Sequence, residues 1–148
     1  MGVLWNFGSG YACKISGGLD SKLYLEILRD EMARSVDICV PDPAHYMFQQ
    51  DNDPTHKAKI ISKYFAEEKI ETLDWPPNSP DLNPIENLWA IVKKNIVKRE
   101  TFTSKDKLWE AFEEEWEKVD VELCQKLVRS MPNRILRCLE ARGSPIKY

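Results

Sequence analysis

The sequence predicts an α/β fold that ends in helices. Short apolar segments around glycines at the start of the chain are typical of a β-hairpin. Residues 46–73 then alternate between strand and helix signals, and from residue 83 onward apolar residues recur at helical spacing. A chain of 148 residues has room for one hydrophobic core, so we expect a single domain over residues 1–148.

Two apolar segments open the chain, at residues 3–7 and 11–15. Gly8-Ser9-Gly10 lies between them, and glycine readily adopts the positive φ angles that tight turns require. We therefore predict a β-hairpin whose turn is at residues 8–10.

A helix is predicted to follow the hairpin. Asp20 can act as its N-cap, because a carboxylate accepts hydrogen bonds from the free N–H groups of a first helical turn. Apolar residues then recur at spacings of three and four up to about Val36, which is typical of a helix with one buried face. Pro41 and Pro43 exclude a continuation.

The middle of the chain alternates between strand and helix. Residues 46–50 are predicted to form a strand that ends in a turn at residues 51–54. Thr55 can cap the next helix, and a second strand is predicted at residues 71–73. The prolines within residues 75–84 exclude regular structure throughout that segment.

The remainder of the chain is predicted to be helical. Asn83 is a suitable N-cap, and Pro84 fits the first helical position, where its missing N–H costs nothing. Two further amphipathic helices are predicted at residues 108–119 and 121–141, and Gly143 marks the end of the second.

Composition excludes several classes of protein. No apolar run approaches the ~20 residues that span a bilayer, so we expect a soluble protein without a membrane partner. The start of the chain has no pattern of a secretory signal, which favours a nuclear or cytoplasmic location. The cysteines form no C-x-x-C pair, so neither a zinc ribbon nor a disulfide framework is expected.

The formal net charge of −3 argues against nucleic-acid binding by bulk electrostatics. Acidic residues dominate residues 106–122, and DNA is not expected there. Basic residues are concentrated in two regions, which are also typical of solvated helix faces. The first region consists of Lys93, Lys94, Lys98 and Arg99, and the second is residues 123–148, which include Arg134.

Two carboxylates stand where a metal site could form. Asp51 ends a predicted strand, Glu86 lies in the first turn of a predicted helix, and residues 52–85, 34 in number, separate them. Carboxylate oxygens suit Mg²⁺ or Mn²⁺, and two such ions about 3.5–4 Å apart support phosphodiester chemistry. The same residues also fit an ordinary turn and a helix capping box, so the pattern alone leaves both interpretations open.

Longer strings of residues bear on that choice. Residues 49–56, Gln-Gln-Asp-Asn-Asp-Pro-Thr-His, and residues 75–89, Trp-Pro-Pro-Asn-Ser-Pro-Asp-Leu-Asn-Pro-Ile-Glu-Asn-Leu-Trp, resemble the signature of the Tc-one/mariner DDE transposases. Residues 17–24 and 124–134 are also similar to that family.

The resemblance implies an RNase H-like (retroviral integrase-like) fold, in which a mixed sheet flanked by helices holds three acids that bind divalent metal, Mg²⁺ or Mn²⁺. By this resemblance Asp51 would be the second acid and Glu86 the third, and both would be catalytic metal ligands. Residues 1–100 would form the RNase H-like core and residues 101–148 the C-terminal helices. Asp53 is the nearest competitor of Asp51, and the family pattern favours Asp51.

The family pattern places the first acid on a first, central strand upstream of the hairpin, and its helix-turn-helix region further upstream. These 148 residues contain neither feature. We therefore expect a sheet truncated at its first strand, with the hairpin closing against residues 46–50 or with two copies pairing there. With two acids we expect this chain alone to be inactive.

Three interpretations of function remain open. The first is part of a cut-and-paste DNA transposase, with transposon ends and target DNA as partners, a possible homodimer and a nuclear location. The second is a transposon-derived, non-catalytic DNA-binding protein, and the third is an inert remnant or interaction module. DNA contacts are expected at His56, Lys93, Lys94, Lys98, Arg99 and Arg134, and His56 also suits a metal ligand or a packing residue.

Overall fold

The computed structural model describes residues 1–5, 8–42, 46–77, 79–99 and 101–146. Its strands are β1 (Gly2–Trp5), β2 (Gly8–Ala12), β3 (Met47–Phe48) and β4 (Glu71–Thr72). Its α-helices are α1 (Ser21–Ile27), α2 (Ala33–Cys39), α3 (Lys59–Glu67), α4 (Pro84–Val97), α5 (Lys105–Glu117), α6 (Val121–Arg129) and α7 (Met131–Glu140). A π-helical segment (Leu28–Met32) joins α1 to α2, and a 3₁₀ turn (Pro80–Leu82) precedes α4.

The hairpin is present, but its predicted turn is wrong. Gly8 and Gly10 belong to β2, which pairs antiparallel with β1, and the connection falls on residues 6–7, outside the described residues. Gly10 is buried, and its carbonyl accepts a hydrogen bond of 2.7 Å from the indole Nε1 of Trp116. The β2 backbone therefore contacts α5 at Gly10, and these glycines belong to a strand, a use of glycine that the turn pattern does not distinguish.

The first helix begins as predicted. The Asp20 carboxylate accepts hydrogen bonds from the backbone N–H groups of Lys22 at 2.9 Å and Leu23 at 2.8 Å. The helical region continues to Cys39, three residues beyond the predicted end, and it contains the π-helical segment that the spacing did not reveal.

Two pieces of sheet stand where one mixed sheet was expected. β1 and β2 form an antiparallel pair, while β3 and β4 form a parallel pair with Met47 opposite Glu71. Within the described residues the hairpin does not pair with β3, so the predicted closure against residues 46–50 is not found.

The cap predicted for the third helix is wrong. α3 begins at Lys59 after Ala58, and the N–H of Thr55 instead donates to Oδ1 of Asp53 at 2.8 Å. Because the Asp53 side chain satisfies the backbone locally, residues 54–57 form a turn before the helix starts.

The C-terminal part is helical as predicted, with two corrections. The helix predicted at residues 108–119 is α5, Lys105–Glu117, and Ser104 is its N-cap. Asn83 caps α4 and Pro84 is its first residue, as the sequence indicates. The single helix predicted at residues 121–141 is two helices, α6 and α7, that meet at Ser130. Pro132 accounts for the break, because it lacks the N–H that would continue α6.

Two clusters of buried apolar side chains hold these elements together. The first joins α1, the π-helical segment, α2 and α3 through Tyr24, Leu28, Met32, Val36, Ile61 and Phe65. The second joins α4, α5 and α6 through Leu88, Val92, Ile96, Trp116 and Leu127, with Leu4 of β1 packed against it. No helix among the described residues has the length and apolar character to cross a membrane.

Candidate active site

Asp51 lies three residues after the end of β3, and its side chain is 64% exposed. Its Oδ1 accepts a hydrogen bond of 2.6 Å from Nδ1 of His56 and one of 3.1 Å from the N–H of Asp53. Oδ1 is therefore fixed by its neighbours, and Oδ2 makes no further hydrogen bond to the described residues. The carboxylate is both oriented and open to solvent.

His56 is largely buried, with 12% of its side chain exposed. Its ring packs against the ring of Tyr24 with 4.1 Å between centroids. Since a carboxylate oxygen only accepts, Nδ1 must carry the hydrogen that it donates to Asp51. Nε2 is buried without a hydrogen-bond partner among the described residues.

A second set of contacts fixes the backbone before Asp51. Gln50 donates from Nε2 to the carbonyl of His56 at 3.3 Å and accepts the Tyr24 hydroxyl at 2.8 Å. Burial raises the pKa of the Tyr24 phenol, and the negative charges of Asp51 and Asp53 raise it further, so the phenol stays protonated and remains a donor. Tyr24, Gln50 and His56 thus form a closed set of contacts behind Asp51.

The side chain of Asp53, the alternative to Asp51 as a metal ligand, accepts a hydrogen bond within its own turn. The pKa of Asp53 is lowered, first by the hydrogen bond from the Thr55 backbone and then by the Thr55 side chain. The neighbouring Asn52 donates from Nδ2 to the carbonyl of Trp75 at 2.6 Å, which ties this turn to the proline-rich loop.

Glu86 is exposed in the first turn of α4. Asn83, Pro84 and Ile85, which begin that helix, line the same cavity of about 600 Å³ as Asp51. The structure therefore brings the end of β3 and the start of α4 to one cavity. Among the described residues, no group of three or more His, Cys, Asp or Glu side chains could hold a metal ion.

The basic residues on and after α4 have different environments. Lys93, Lys94 and Lys98 are exposed on α4 and at its C-cap. Arg99 is 35% exposed and pairs with Glu114 at 2.7 Å and Glu115 at 3.3 Å on α5. The three lysines are thus open to phosphate, whereas the charge of Arg99 is partly neutralised within the protein.

Arg134 lies inside the protein, with 5% of its surface exposed. Its Nη1 donates to Oδ1 of Asn87 at 2.6 Å and to the carbonyl of Asp81 at 3.1 Å, and its Nε donates to Oγ of Ser130 at 2.8 Å. This placement favours a role in holding α7 against the start of α4, in place of the DNA contact expected from the sequence. The sequence suggested no partner for it, because 47 positions separate Arg134 from Asn87.

Residues 1–109 match the family model of the DDE superfamily endonucleases. The chain belongs to this family. Curated relatives of the chain include transposases of two Caenorhabditis species. It is 32% identical over 153 residues to the Tcb2 transposase of Caenorhabditis briggsae, covering 99% of this chain and 54% of that protein. It is 33% identical over 140 residues to the Tc3 transposase of Caenorhabditis elegans, covering 90% and 40%. The chain thus spans about half the length of the curated relatives that it matches.

Solved structures with the same fold include the catalytic domain of the Mos1 mariner transposase. That domain matches with a TM-score of 0.83 and 20% identity, over 96% of this chain and 72% of that chain. The Mos1 mariner paired end complex with Mn matches with a TM-score of 0.83 and 21% identity, over 96% and 43%. The chain therefore has the RNase H-like fold that the resemblance implies.

Proposed function

We propose that this chain is part of a cut-and-paste DNA transposase, in which Asp51 and Glu86 are two of the acids that bind Mg²⁺ or Mn²⁺. The observation that carries the proposal is the hydrogen bond of 2.6 Å by which His56 orients Asp51, at the cavity where the helix bearing Glu86 begins. Membership of the endonuclease family and the nematode transposases support it.

The donor set suits the proposed ions. Asp51 and Glu86 are exposed carboxylates, and hard divalent cations prefer oxygen ligands of this kind. A bound divalent ion would polarise the phosphodiester and lower the pKa of the attacking water. In this proposal Asp51 contributes Oδ2 as a ligand, while His56 holds Oδ1 and thereby the direction of the carboxylate.

DNA is the proposed substrate, as transposon ends and as target. Lys93 and Lys94 are exposed on α4, which has Glu86 in its first turn, and Lys98 is exposed at the C-cap of that helix. DNA phosphates bound to these lysines would therefore lie near the helix that carries Glu86. The solved Mos1 structures include a paired end complex with Mn. We also propose a nuclear location, because the proposed substrate is chromosomal DNA. A homodimer is a further part of this proposal.

We further propose that residues 1–148 alone do not cleave DNA. The described residues offer no third acid beside Asp51 and Glu86, and two metal ions are difficult to hold with two carboxylates. Nicking of a supercoiled plasmid with Mg²⁺ or Mn²⁺ tests this directly. Metal-dependent nicking that is lost in Asp51→Asn would contradict the proposed inactivity and would support the assignment of Asp51.

Calorimetric titration with Mn²⁺ tests the two ligands. We expect binding by the parent chain to weaken by about tenfold or more in Asp51→Asn and in Glu86→Gln, because each loses a charged ligand. Matched controls are Asp53→Asn, whose carboxylate is used within its turn, and Glu110→Gln on the exposed side of α5. If the controls weaken binding as much as the test variants, Asp51 and Glu86 are not the site.

The exposed lysines favour one alternative, a non-catalytic DNA-binding protein. In that case a chain with Asp51→Ala would bind duplex DNA as well as the parent, and affinity would fall steeply with salt. Replacement of Lys93, Lys94 and Lys98 by glutamine would then reduce both the affinity and its salt dependence. Absence of DNA binding at low salt would contradict this alternative and leave the interaction module.

A further inference from the structure

A buried arginine joins the C-terminal helices to the segment at the start of α4. Arg134 of α7 donates from Nη1 to Oδ1 of Asn87 at 2.6 Å and to the carbonyl of Asp81 at 3.1 Å. Its Nε donates to Oγ of Ser130, whose hydroxyl in turn donates to the carbonyl of Leu127 at 2.6 Å. The junction of α6 and α7 thus fixes the guanidinium, and the guanidinium contacts both the 3₁₀ turn and α4.

The segment after α7 holds the same 3₁₀ turn through a second contact. The backbone N–H of Ile146 donates to Oδ2 of Asp81 at 3.0 Å. Asp81 therefore accepts through its carbonyl from Arg134 and through its carboxylate from Ile146. We use the name C-terminal clamp for the following residues and the hydrogen bonds that join them: Asp81, Asn87, Ser130, Arg134 and Ile146.

The first turn of α4 is held weakly by its own hydrogen bonds. The side chain of the cap, Asn83, accepts the N–H of Ile85 at 3.4 Å, which is longer than the usual distance of about 2.9–3.0 Å. The N–H of Glu86 reaches the Asn83 carbonyl at 3.2 Å. The bond from Arg134 to Asn87 is shorter and has a charged donor, and such bonds are roughly twice as strong as neutral ones. The clamp therefore holds this turn more firmly than its own cap does.

Asn87 and Leu88 together set the direction of Glu86. Leu88 is fully buried in the second cluster, and Asn87 is held on the side of α7. Successive residues of an α-helix point about 100° apart, so Glu86 points away from Leu88 and to one side of Asn87. Its side chain is exposed there, at the end of the helix that borders the same cavity as Asp51. Loss of the bond to Asn87 would leave only one of the two neighbours to fix that direction.

We propose that the C-terminal clamp positions Glu86 for metal binding, with Arg134 as a positioning residue that acts through Asn87. This inference rests on the proposed function, because it takes Glu86 to be a metal ligand. Two of the stretches that resemble the family, residues 75–89 and 124–134, meet at the clamp, and the proposed function uses only Glu86 from them. The clamp gives other residues of these stretches a role, because they hold the first turn of α4 before a metal ion binds.

Amide hydrogen exchange in the full chain tests the clamp without metal or DNA. Arg134→Met keeps an apolar side chain but removes the donor, and we expect exchange at residues 85–89 to become about tenfold faster or more. The matched control is Ile96→Val, which removes buried apolar contact at the other end of α4. Exchange at a helix end reflects local opening, so the loss of global stability in this control should leave residues 85–89 unchanged.

Two replacements of Asn87 separate its hydrogen bond from its packing. Asn87→Asp keeps an acceptor for Arg134, so we expect exchange at residues 85–89 to stay within about twofold of the parent. Asn87→Leu has a side chain of similar size without an acceptor, and it should accelerate exchange as much as Arg134→Met does. The double variant with Arg134→Met and Asn87→Leu should exchange no faster than either single variant, because all three lose the same hydrogen bond.

Calorimetric titration with Mn²⁺ tests the consequence for Glu86. We expect Arg134→Met and Asn87→Leu to bind Mn²⁺ about tenfold more weakly than the parent, and Ile96→Val to bind it equally. Unchanged exchange at residues 85–89 in the first two variants would overturn the proposal, and so would faster exchange with full Mn²⁺ affinity. Absence of Mn²⁺ binding by the parent would overturn the proposed function and the role of Glu86, while faster exchange in Arg134→Met would still support the clamp.

Discussion

At the scale of single residues, Asp51 depends on His56 for its direction. The hydrogen bond joins Nδ1 of His56 to Oδ1 of Asp51, while the other side of the ring packs on Tyr24. The chemistry at Asp51 is therefore set partly by a side chain that is itself buried. Replacement of His56 by asparagine or by glutamine can distinguish the orientation of Asp51 from simple packing.

We expect His56→Asn to bind Mn²⁺ nearly as well as the parent, and His56→Gln to bind it about ten- to a hundredfold more weakly. The asparagine amide can reach the position of Nδ1 and donate to Asp51, whereas the glutamine amide reaches that of Nε2. Calorimetry measures the affinities, and thermal unfolding checks that both variants fold. Equal losses in the two variants would show that the ring acts only by packing.

Arg134 makes a testable contribution to stability. Arg134→Ala leaves the acceptors at Asn87 and Asp81 without their donor, and we expect the free energy of unfolding to fall by about 2–3 kcal/mol. Urea unfolding measures it, with the exposed Arg129→Ala as control, expected within about 0.5 kcal/mol of the parent. If Arg134→Ala instead weakened DNA binding without a change in stability, the prediction that Arg134 contacts DNA would be supported.

Sequence reasoning proposed two acids but did not predict the side chains that contact Asp51. Asp51 and Glu86 were proposed because sequences that resemble the family surround them, and the caps Asp20 and Asn83 were predicted because capping acts within a few residues. The Tyr24–Gln50 and Arg134–Asn87 contacts span 26 and 47 positions, and no local pattern encodes such pairs. Side chains brought together by tertiary packing were therefore missed.

At the scale of elements, the caps of α1 and α4 were predicted correctly, whereas the cap of α3 and the interruptions within helices were missed. Asp20 and Asn83 cap α1 and α4 as expected. The break at Ser130 was missed because apolar spacing continues across it, and Pro132 had been read as part of one helix. Gly8 and Gly10 were assigned to a turn because the same residue type serves turns and closely packed strands.

The cap of α1 provides a prediction at this scale. Asp20→Ala removes an acceptor of two backbone N–H groups, and we expect the free energy of unfolding to fall by about 1 kcal/mol. Asp20→Asn retains an acceptor oxygen and should lose only a few tenths of that amount. Urea unfolding measured by circular dichroism compares them, and an equal loss in both variants would contradict a capping role.

At the scale of the whole molecule, one hydrogen bond joins the start of the chain to its C-terminal half. The indole of Trp116 donates to the buried carbonyl of Gly10, 106 positions away. Helix α5 is thus held against the hairpin, and α6 also contacts both hairpin strands. The separation of the sheet into two pieces is a property of the molecule that no single segment reveals.

Trp116→Phe tests this long-range connection. Phenylalanine keeps most of the packing but cannot donate, so the buried Gly10 carbonyl loses its partner, and we expect a loss of about 1–3 kcal/mol in the free energy of unfolding. Trp109→Phe, at a half-buried position of the same helix, is the control and should lose less. Similar losses of stability in the two variants would show that the hydrogen bond from Trp116 to Gly10 does not account for the effect.

The π-helical segment keeps the side chains of Tyr24 and Val36 on the same face of the helical region. Tyr24 and Val36 are both buried in the first cluster, yet 12 steps of an uninterrupted α-helix would turn them roughly 120° apart. The wider turn at Leu28–Met32 absorbs most of that rotation. Deletion of one exposed residue in this segment, such as Asp30, would leave 11 steps between Tyr24 and Val36. In a continuous α-helix the two side chains would then differ in direction by only about 20°, so the same face would be buried. The segment thus marks a position where the length of the chain can change by one residue without reversing which side of the helix is buried.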